Sequence, residues 1–115
     1  MTPKQACLNL LGLSRRASKQ IAGEGLALAA IRNQTAKLVF IASDAGPTTA
    51  KKFHDKAQSY DVPVIDTFTK AELNTATGNK RTVYAITDAG FAKKMVAIPT
   101  KQTSGKIWGK SEFMS

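Results

Sequence analysis

Short apolar runs alternate along this chain with longer segments of helical periodicity. Residues 38–42 form an apolar run that is rich in branched side chains and too short to cross a membrane, which is typical of a buried strand. A helix is predicted after it, because Pro47 suits the first helical position and apolar side chains follow at helical spacing, namely Ala50, Phe53, Ala57 and Tyr60. The loop between them, residues 43–46, occupies a position where α/β proteins often bind a ligand.

The segment before this strand predicts two helices and a short edge strand. Thr2 and Gln5 have the spacing of a capping box, with Pro3 at the first helical position. We expect this helix to end before Ser14 and to bury Cys7, Leu8, Leu10 and Leu11. Gln20–Ala22 is predicted as an edge strand, and residues 26–32 as a second helix with Asn33 as a left-handed cap.

The second half of the chain continues the alternation. Residues 62–65 predict a strand with Pro63 at an edge or entry position, and Thr69 with Glu72 forms a capping box for a helix ending near Gly78. Val83–Ile86 is predicted as a strand, followed by a helix that Asp88 caps and that buries Phe91 and Met95. The order αβαβαβαβα predicts an α/β fold, a three-layer α/β/α sandwich around a small mixed four-stranded sheet.

A change in composition near Pro99 marks the end of the predicted domain. The chain of 115 residues is long enough for one hydrophobic core, which we place in residues 1–99. Residues 100–115 are polar and basic, and we predict a flexible tail. Ile107, Trp108 and Phe113 leave two alternatives open, docking onto the domain or stacking on bases.

The charge balance favours an anionic partner. Seventeen Lys and Arg residues face eight Asp and Glu residues, the formal net charge is +9, and the sequence pI is about 9.9, which is typical of a nucleic-acid binder. A basic but merely solvated surface is the main alternative, and attraction to a membrane is a weaker one. The basic residues form three clusters: Arg15, Arg16 and Lys19; Lys51, Lys52 and Lys56; Lys80 and Arg81.

The residues needed for catalysis or metal binding are not evident in the sequence. One His and one Cys do not make an ordinary structural zinc site, and no phosphate-binding loop motif is present. We expect His54 to be a surface residue beside Asp55, and Cys7 to be a packed core thiol. An enzyme that uses Ser43 and Asp44 is the weakest hypothesis, because no nucleophile–base pair is identifiable. We therefore predict a non-enzymatic protein without metal or cofactor. A single cysteine and the lack of a signal peptide favour the cytoplasm.

Several motifs occur in a characteristic order: Leu10-Leu11-Gly12-Leu13-Ser14-Arg15-Arg16-Ala17-Ser18-Lys19, Gly23-Glu24, Ala36-Lys37-Leu38-Val39, Ile41-Ala42-Ser43-Asp44, Thr69-Lys70-Ala71-Glu72-Leu73 and Ala85-Ile86-Thr87-Asp88. Together they resemble the ribosomal protein L7Ae family, most closely its bacterial YlxQ-like branch. The resemblance covers about residues 4–98 and leaves the tail unaccounted for.

The resemblance implies an α/β/α sandwich that binds kink-turns, which are sharply bent RNA elements with tandem sheared G·A pairs. It implies that the helix after the Gly23 turn enters the RNA major groove at the kink. It also implies that the loops at 43–46 and 78–82 complete the site. The RNA-binding residues predicted in this way are Lys19, Gly23, Glu24, Gly25, Leu26, Ala29, Arg32, Ser43, Asp44, Asn79, Lys80 and Arg81.

The chain departs from the family at the helix that contacts the G·A pairs. The Asn-Glu-x-x-Lys pattern of the family falls here on Gly25, Leu26 and Ala29, and a frequent lysine before the glycine is Ala22. Each base-specific hydrogen-bonded pair contributes about 1–3 kcal/mol to discrimination. We therefore expect weakened recognition of kink-turns.

Two functions from different classes follow. The first is a monomeric RNA-binding protein that acts on structured RNA, with ribosomal RNA and ribosome association expected and no membrane partner. The second is a protein-interaction adaptor that kept the fold and lost kink-turn specificity. The exposure of Leu26 discriminates between them, because a solvent-facing Leu26 favours an altered interface and a buried one belongs to the core.

Overall fold

Five helices and four strands alternate in the computed structural model, which describes residues 2–99. They are α1 (Pro3–Arg16), β1 (Gln20–Ala22), α2 (Glu24–Arg32), β2 (Leu38–Ile41), α3 (Pro47–Ser59), β3 (Val64–Ile65), α4 (Lys70–Thr77), β4 (Val83–Ile86) and α5 (Ala89–Ala97). This order confirms the predicted alternation. The tail at 100–115, with its apolar residues, lies outside the described residues.

The strands form one mixed sheet in the order β1-β4-β2-β3. β4 pairs antiparallel with both β1 and β2, whereas β3 pairs parallel with β2. β1 is an edge strand, as predicted. β3 is shorter than expected and begins after Pro63, whose carbonyl accepts a hydrogen bond from Val39 N at 3.0 Å.

Alternate side chains of the central strands enter two separate hydrophobic clusters, because successive residues of a strand point to opposite faces of the sheet. Leu38 and Phe40 join the cluster beneath α1, α4 and α5. Val39 and Ile41 join the cluster beneath α2 and α3. The predicted three-layer α/β/α sandwich is therefore confirmed.

Three predicted helix starts and one predicted helix end are confirmed, and the first of these starts is Pro47 at the beginning of α3. Thr69 and Glu72 form a complete capping box, and the Asp88 carboxylate accepts a hydrogen bond from Phe91 N at 2.8 Å. Gly78 ends α4 in the left-handed region at φ 77°. At α1 only half of the expected capping box forms. The Thr2 hydroxyl accepts from Gln5 N, but the Gln5 amide donates to Asn9 Oδ1 instead of returning to Thr2.

The structure corrects the end of α1. The helix continues through Ser14 to Arg16, and Ser14 is fully buried rather than part of a basic loop. Its hydroxyl donates to Leu11 O at 2.7 Å and accepts from the Gln20 side chain at 3.2 Å. These bonds satisfy the hydroxyl inside the core, which is why a serine is tolerated there.

The bounds and cap of α2 are also corrected. The helix begins at Glu24, two residues earlier than predicted. Asn33 has φ −88° and is not left-handed; Gln34 takes that conformation at φ 65°. The Asn33 side chain instead accepts hydrogen bonds from the backbone and hydroxyl of Thr35, at 3.1 and 2.7 Å. An Asx turn of this kind satisfies the chain as it leaves a helix.

The predicted apolar stripes are only partly buried. Cys7 and Leu11 are fully buried in α1, whereas Leu8 and Leu10 pack at the margin of the core. Tyr60 is partly exposed, and Phe91 is less buried than Met95. Burial raises the pKa of the Cys7 thiol to about 12, so the thiol is protonated and unreactive at neutral pH. This agrees with a packed core role for Cys7.

The expectation for His54 is met only in part, because the residue lies on α3 but its side chain has a carboxylate partner other than Asp55. Its Nε2 lies 3.0 Å from the Asp66 carboxylate, and the side chain is only partly exposed. Asp55 pairs instead with Lys51 at 2.8 Å, one helical turn away.

No helix within residues 2–99 is long and apolar enough to cross a membrane. The same residues contain no group of three or more His, Cys, Asp or Glu side chains that could hold a metal ion.

Candidate nucleic-acid interface

A groove of about 500 Å³ runs between the start of α2 and the loop before β4. Residues 22–26 form one wall and residues 80–82 form the other. The antiparallel pairing of β1 with β4 brings these distant segments together, since Ala22 lies opposite Tyr84 and Gly23 N donates to Val83 O at 2.9 Å. The groove is thus a direct consequence of the sheet topology.

Gly23 has a conformation that other residues rarely adopt. Its dihedral angles, φ 105° and ψ 150°, fall in a region that is essentially restricted to glycine. A Cβ at this position would lie 3.5 Å from Arg81 Nε and 3.7 Å from Arg81 Cδ. The Arg81 side chain therefore crosses directly over the Gly23 backbone, and the missing side chain gives it room.

Backbone amides at the start of α2 are available to a ligand. No side chain of residues 2–99 caps this helix, and Ala27 N is the first amide to donate within it, to Gly23 O at 2.9 Å. The amides of Glu24, Gly25 and Leu26 precede that bond and have no partner in the helix. Unpaired amides and the helix dipole together favour an anion at such an end.

Tyr84 holds the loop that carries Lys80 and Arg81. Its ring is buried in β4, and its hydroxyl lies 3.2 Å from each of four loop or α4 atoms: Asn74 Oδ1, Thr77 Oγ1, Asn79 O and Arg81 N. Arg81 N also donates to Asn74 Oδ1 at 3.2 Å. The loop therefore has a defined backbone before any ligand binds, which lowers the entropic cost of binding.

The basic side chains of the groove are not neutralised within the described residues. Lys80 and Arg81 are exposed and form no ion pair with residues 2–99. Most carboxylates are used elsewhere: Glu72 with Lys4, Asp55 with Lys51, Asp66 with His54, and Asp88 as a helix cap. Glu24 is the carboxylate that lines the groove.

Six of the twelve predicted RNA-binding residues line this groove, namely Gly23, Glu24, Gly25, Leu26, Lys80 and Arg81. Ala29 and Arg32 continue the exposed surface of α2, since Ala29 lies three residues after Leu26 and Arg32 lies three residues after Ala29. Leu26 is 66% exposed, so it does not belong to the core. The three positions where the family pattern is replaced, Gly25, Leu26 and Ala29, are all exposed.

The other four predicted residues lie outside the groove. Lys19 is at the opposite end of β1 from Gly23, about 13 Å away along the strand. The 43–46 loop approaches the groove through a bond from Ala42 N to Thr82 O at 2.9 Å, but Ser43 and Asp44 do not line it. Asp44 Oδ1 accepts from Lys70 N at 2.9 Å and so holds the start of α4. Asn79 contributes its carbonyl to the contacts around Tyr84.

Sequence reasoning missed the residues that position the loop, above all Tyr84 and Asn74. One signal was available. A tyrosine inside an otherwise apolar central strand must place its hydroxyl against polar partners when the ring is buried. The identity of those partners depends on the packing of α4 against the sheet.

Comparison with known proteins identifies the family and the fold of this chain. Residues 5–96 match the Ribosomal protein L7Ae/L30e/S12e/Gadd45 family. The RNA-binding protein YlxQ of Enterococcus faecium is 48% identical over 91 residues, which cover 79% of this chain and 88% of that protein. The RNA-binding protein YlxQ of Bacillus subtilis (strain 168) is 44% identical over 90 residues, covering 77% and 90%.

Solved structures agree with these relatives. A protein of unknown function from Bacillus halodurans C superposes with a TM-score of 0.77 at 40% identity, covering 80% of this chain and 94% of that chain. The Giardia lamblia 15.5kD RNA binding protein superposes with a TM-score of 0.68 at 23% identity, covering 76% and 79%, and this second likeness concerns the fold alone. The chain therefore belongs to the Ribosomal protein L7Ae/L30e/S12e/Gadd45 family and to its YlxQ-like branch, as its sequence motifs indicated.

Proposed function

We propose that this protein is a non-enzymatic RNA-binding protein that holds structured RNA in the groove between α2 and the loop at 78–82. The observation that carries the proposal is the assembly of Arg81 over Gly23, beside unpaired amides and the exposed Lys80. These donors suit phosphate oxygens. The names of both YlxQ relatives, which describe RNA-binding proteins, support the same function.

The RNA element that we propose is a kink-turn, bound mainly through its backbone. The amides of α2 and the basic loop bind phosphates, whereas Gly25, Leu26 and Ala29 offer no side-chain hydrogen bonds to G·A pairs. Shape and phosphate positions then provide most of the recognition. We further propose that the protein is a cytoplasmic monomer whose partner is ribosomal RNA.

Charge reversal of the groove tests the proposal. We expect the Lys80→Glu/Arg81→Glu double variant to bind a kink-turn RNA at least about tenfold more weakly. The salt slope, which is the slope of log affinity against log salt concentration, should also become shallower by about 0.7–0.9 for each phosphate contact that the variant loses. Fluorescence anisotropy over a salt series measures both quantities. Lys93→Glu/Lys94→Glu on α5 is the matched control, because it makes the same charge change at exposed residues outside the groove.

Two results would contradict the proposal. The first is failure of the wild-type protein to bind kink-turn or ribosomal RNA even at low salt. The second is an equal loss of affinity in the groove variant and in the α5 control, because only the total charge would then matter.

Restoring the family pattern tests the kink-turn part separately. The triple variant Gly25→Asn, Leu26→Glu, Ala29→Lys places the missing polar side chains on α2. The fold should tolerate it, since these residues are exposed and a Cβ at Gly25 meets no atom of the described residues within 4 Å. We expect at least about tenfold tighter binding to a kink-turn, and no gain on a plain duplex of equal length. Equal affinities of the variant and the wild type for the kink-turn would contradict this placement of the RNA.

The exposure of Leu26 favours a second candidate function, that of a protein-interaction adaptor. Leu26 and Ala29 would then contact a protein partner in place of G·A pairs. Crosslinking in cells distinguishes the two functions. If RNA is recovered both with the wild-type protein and with the Leu26→Ser variant, the result supports RNA binding. Recovery of a protein that depends on Leu26, without RNA, supports the adaptor.

A further inference from the structure

We propose that Arg15, at the end of α1, is a further phosphate-binding residue that extends the RNA surface beyond the groove to a stem of the bound RNA. The inference rests on the proposed function. It concerns a residue that neither the groove nor the predicted site includes, and three observations lead to it.

The first observation is the close contact between α1 and α4. A Cβ on Gly12 would lie 2.8 Å from Ala76 O, so the two helix backbones touch at this point. Arg15 follows Gly12 by three residues, and Gly78 follows Ala76 by two. The end of α1 is therefore held beside the end of α4, where the basic loop begins.

The second observation is the position of the Arg15 guanidinium. Its Nη1 lies 3.8 Å from the place that a Cβ would occupy on Gly78. Gly78 starts the loop that leads to Arg81, three residues later and at most about 11 Å away along the chain. Arg81 in turn lies over Gly23. Arg15, the loop and Gly23 thus form one continuous row, although the sequence places them in separate clusters.

The third observation is that the charge of Arg15 is available. The side chain is exposed, and it forms no ion pair with residues 2–99. Its position near the C-terminus of α4 suits a cation, but an exposed guanidinium keeps donors free for a second partner. Arginine presents those donors in a planar fork that matches phosphate oxygens. RNA backbone leaving the groove is an anion that this row can follow.

The experiment combines an Arg15 variant with RNAs of different stem length. We expect Arg15→Gln to bind a long-stemmed kink-turn about tenfold more weakly, with a salt slope lower by about 0.7–0.9. The defect should disappear when one of the two stems is shortened, because the phosphate that Arg15 contacts is then absent. Arg16→Gln is the matched control, because it removes the same charge one residue later. The Arg16 side chain lines a separate cavity between α1 and α4 and not the groove at the start of α2. Arg15→Lys should retain most of the salt slope.

The outcomes separate this inference from the proposed function. If wild-type protein binds the RNAs and Arg15→Gln matches it on every stem length, the inference is overturned and the groove stands. A loss of affinity that is the same for all stem lengths and accompanies a lower unfolding midpoint also overturns it, because Arg15 then only stabilises the fold. If wild-type protein binds none of the RNAs, the proposed function fails first.

Discussion

At the scale of single residues, Gly23 determines whether the groove can exist. Its backbone conformation excludes side chains, and Arg81 occupies the space above it. Gly25, two residues later, is the second residue of α2, and a Cβ there would meet no atom of residues 2–99 within 4 Å. The two glycines therefore have opposite roles, although the sequence Gly-Glu-Gly makes them look equivalent.

Alanine at these two positions tests that difference. We expect Gly23→Ala to lower the free energy of unfolding by about 1–3 kcal/mol, because its φ and ψ are strained for any residue with a side chain. Gly25→Ala should raise it by about 0.5–1 kcal/mol, because alanine costs less entropy than glycine in a helix. Urea unfolding measures both values. Equal effects at the two positions would show that the Gly23 backbone relaxes freely.

At the scale of elements, the contacts of Tyr84 connect α4, the basic loop and β4. The hydroxyl is the shared partner of the loop backbone and of two polar side chains of α4. Because these bonds hold the loop, Lys80 and Arg81 start from defined backbone positions. Surface residues of a mobile segment have no such defined positions. Pre-organisation of the loop is the contribution of Tyr84 to the site.

Removing the hydroxyl alone tests this role. We expect Tyr84→Phe to lower the free energy of unfolding by about 1–2 kcal/mol, because it leaves buried polar groups without a partner. Hydrogen exchange at the Arg81 amide should become faster than in the wild type, since one of its two acceptors is lost. Tyr60→Phe is the control. Because Tyr60 is 39% exposed, we expect this substitution to change the free energy of unfolding by less than about 0.5 kcal/mol. Unchanged exchange at Arg81 would show that Asn74 alone holds the loop.

The start of α4 gives a pH-dependent prediction. The Lys4 ammonium and then the Thr69 amide lower the pKa of the Glu72 carboxyl below its ordinary value. Because the carboxylate binds its proton less tightly in the folded state, this stabilisation is present above the ordinary carboxyl pKa. It is lost as the pH falls through the lowered value.

Glu72→Gln should therefore be less stable than the wild type at neutral pH by about 0.2–1 kcal/mol. The difference should disappear in acid, because the wild-type carboxyl is then neutral as well. Chemical unfolding across the acid range measures it. Asp61→Asn is the control for the change in net charge, because it removes an equal charge at a left-handed turn position that asparagine tolerates. A constant difference at all pH values would assign the effect to the shape of the cap and not to charge.

At the scale of the whole molecule, the arrangement of charge matters more than its sum. Carboxylates of the described residues mostly cap helices or pair with nearby basic side chains. The row formed by Arg15, the loop at 78–82 and Gly23 keeps its positive charge. Such a row attracts a polyanion over a distance and orients it before contact. The tail adds three further lysines and one glutamate beyond residue 99.

Truncation after Pro99 separates the contributions of domain and tail. We expect the midpoint of thermal unfolding to stay the same, because residues of the described part build both hydrophobic clusters. The slope of log affinity against log salt concentration should become shallower by up to about 0.7–0.9 for each lysine contact that is lost. Calorimetry and anisotropy measure the two effects. A lower midpoint after truncation would show that the apolar residues of the tail pack on the domain.

The sequence by itself determined the order of the elements, the layers and most of the caps, because periodicity and capping act over a few residues. It also pointed to Gly23, Lys80 and Arg81, through motifs that the chain shares with its family. Only the tertiary structure decided which of these residues meet. The pairing of β1 with β4 puts Arg81 over Gly23, and the contact of Gly12 with Ala76 puts Arg15 beside Gly78. These contacts join residues 58 to 66 positions apart, and they depend on how helices and strands pack, which local patterns do not encode.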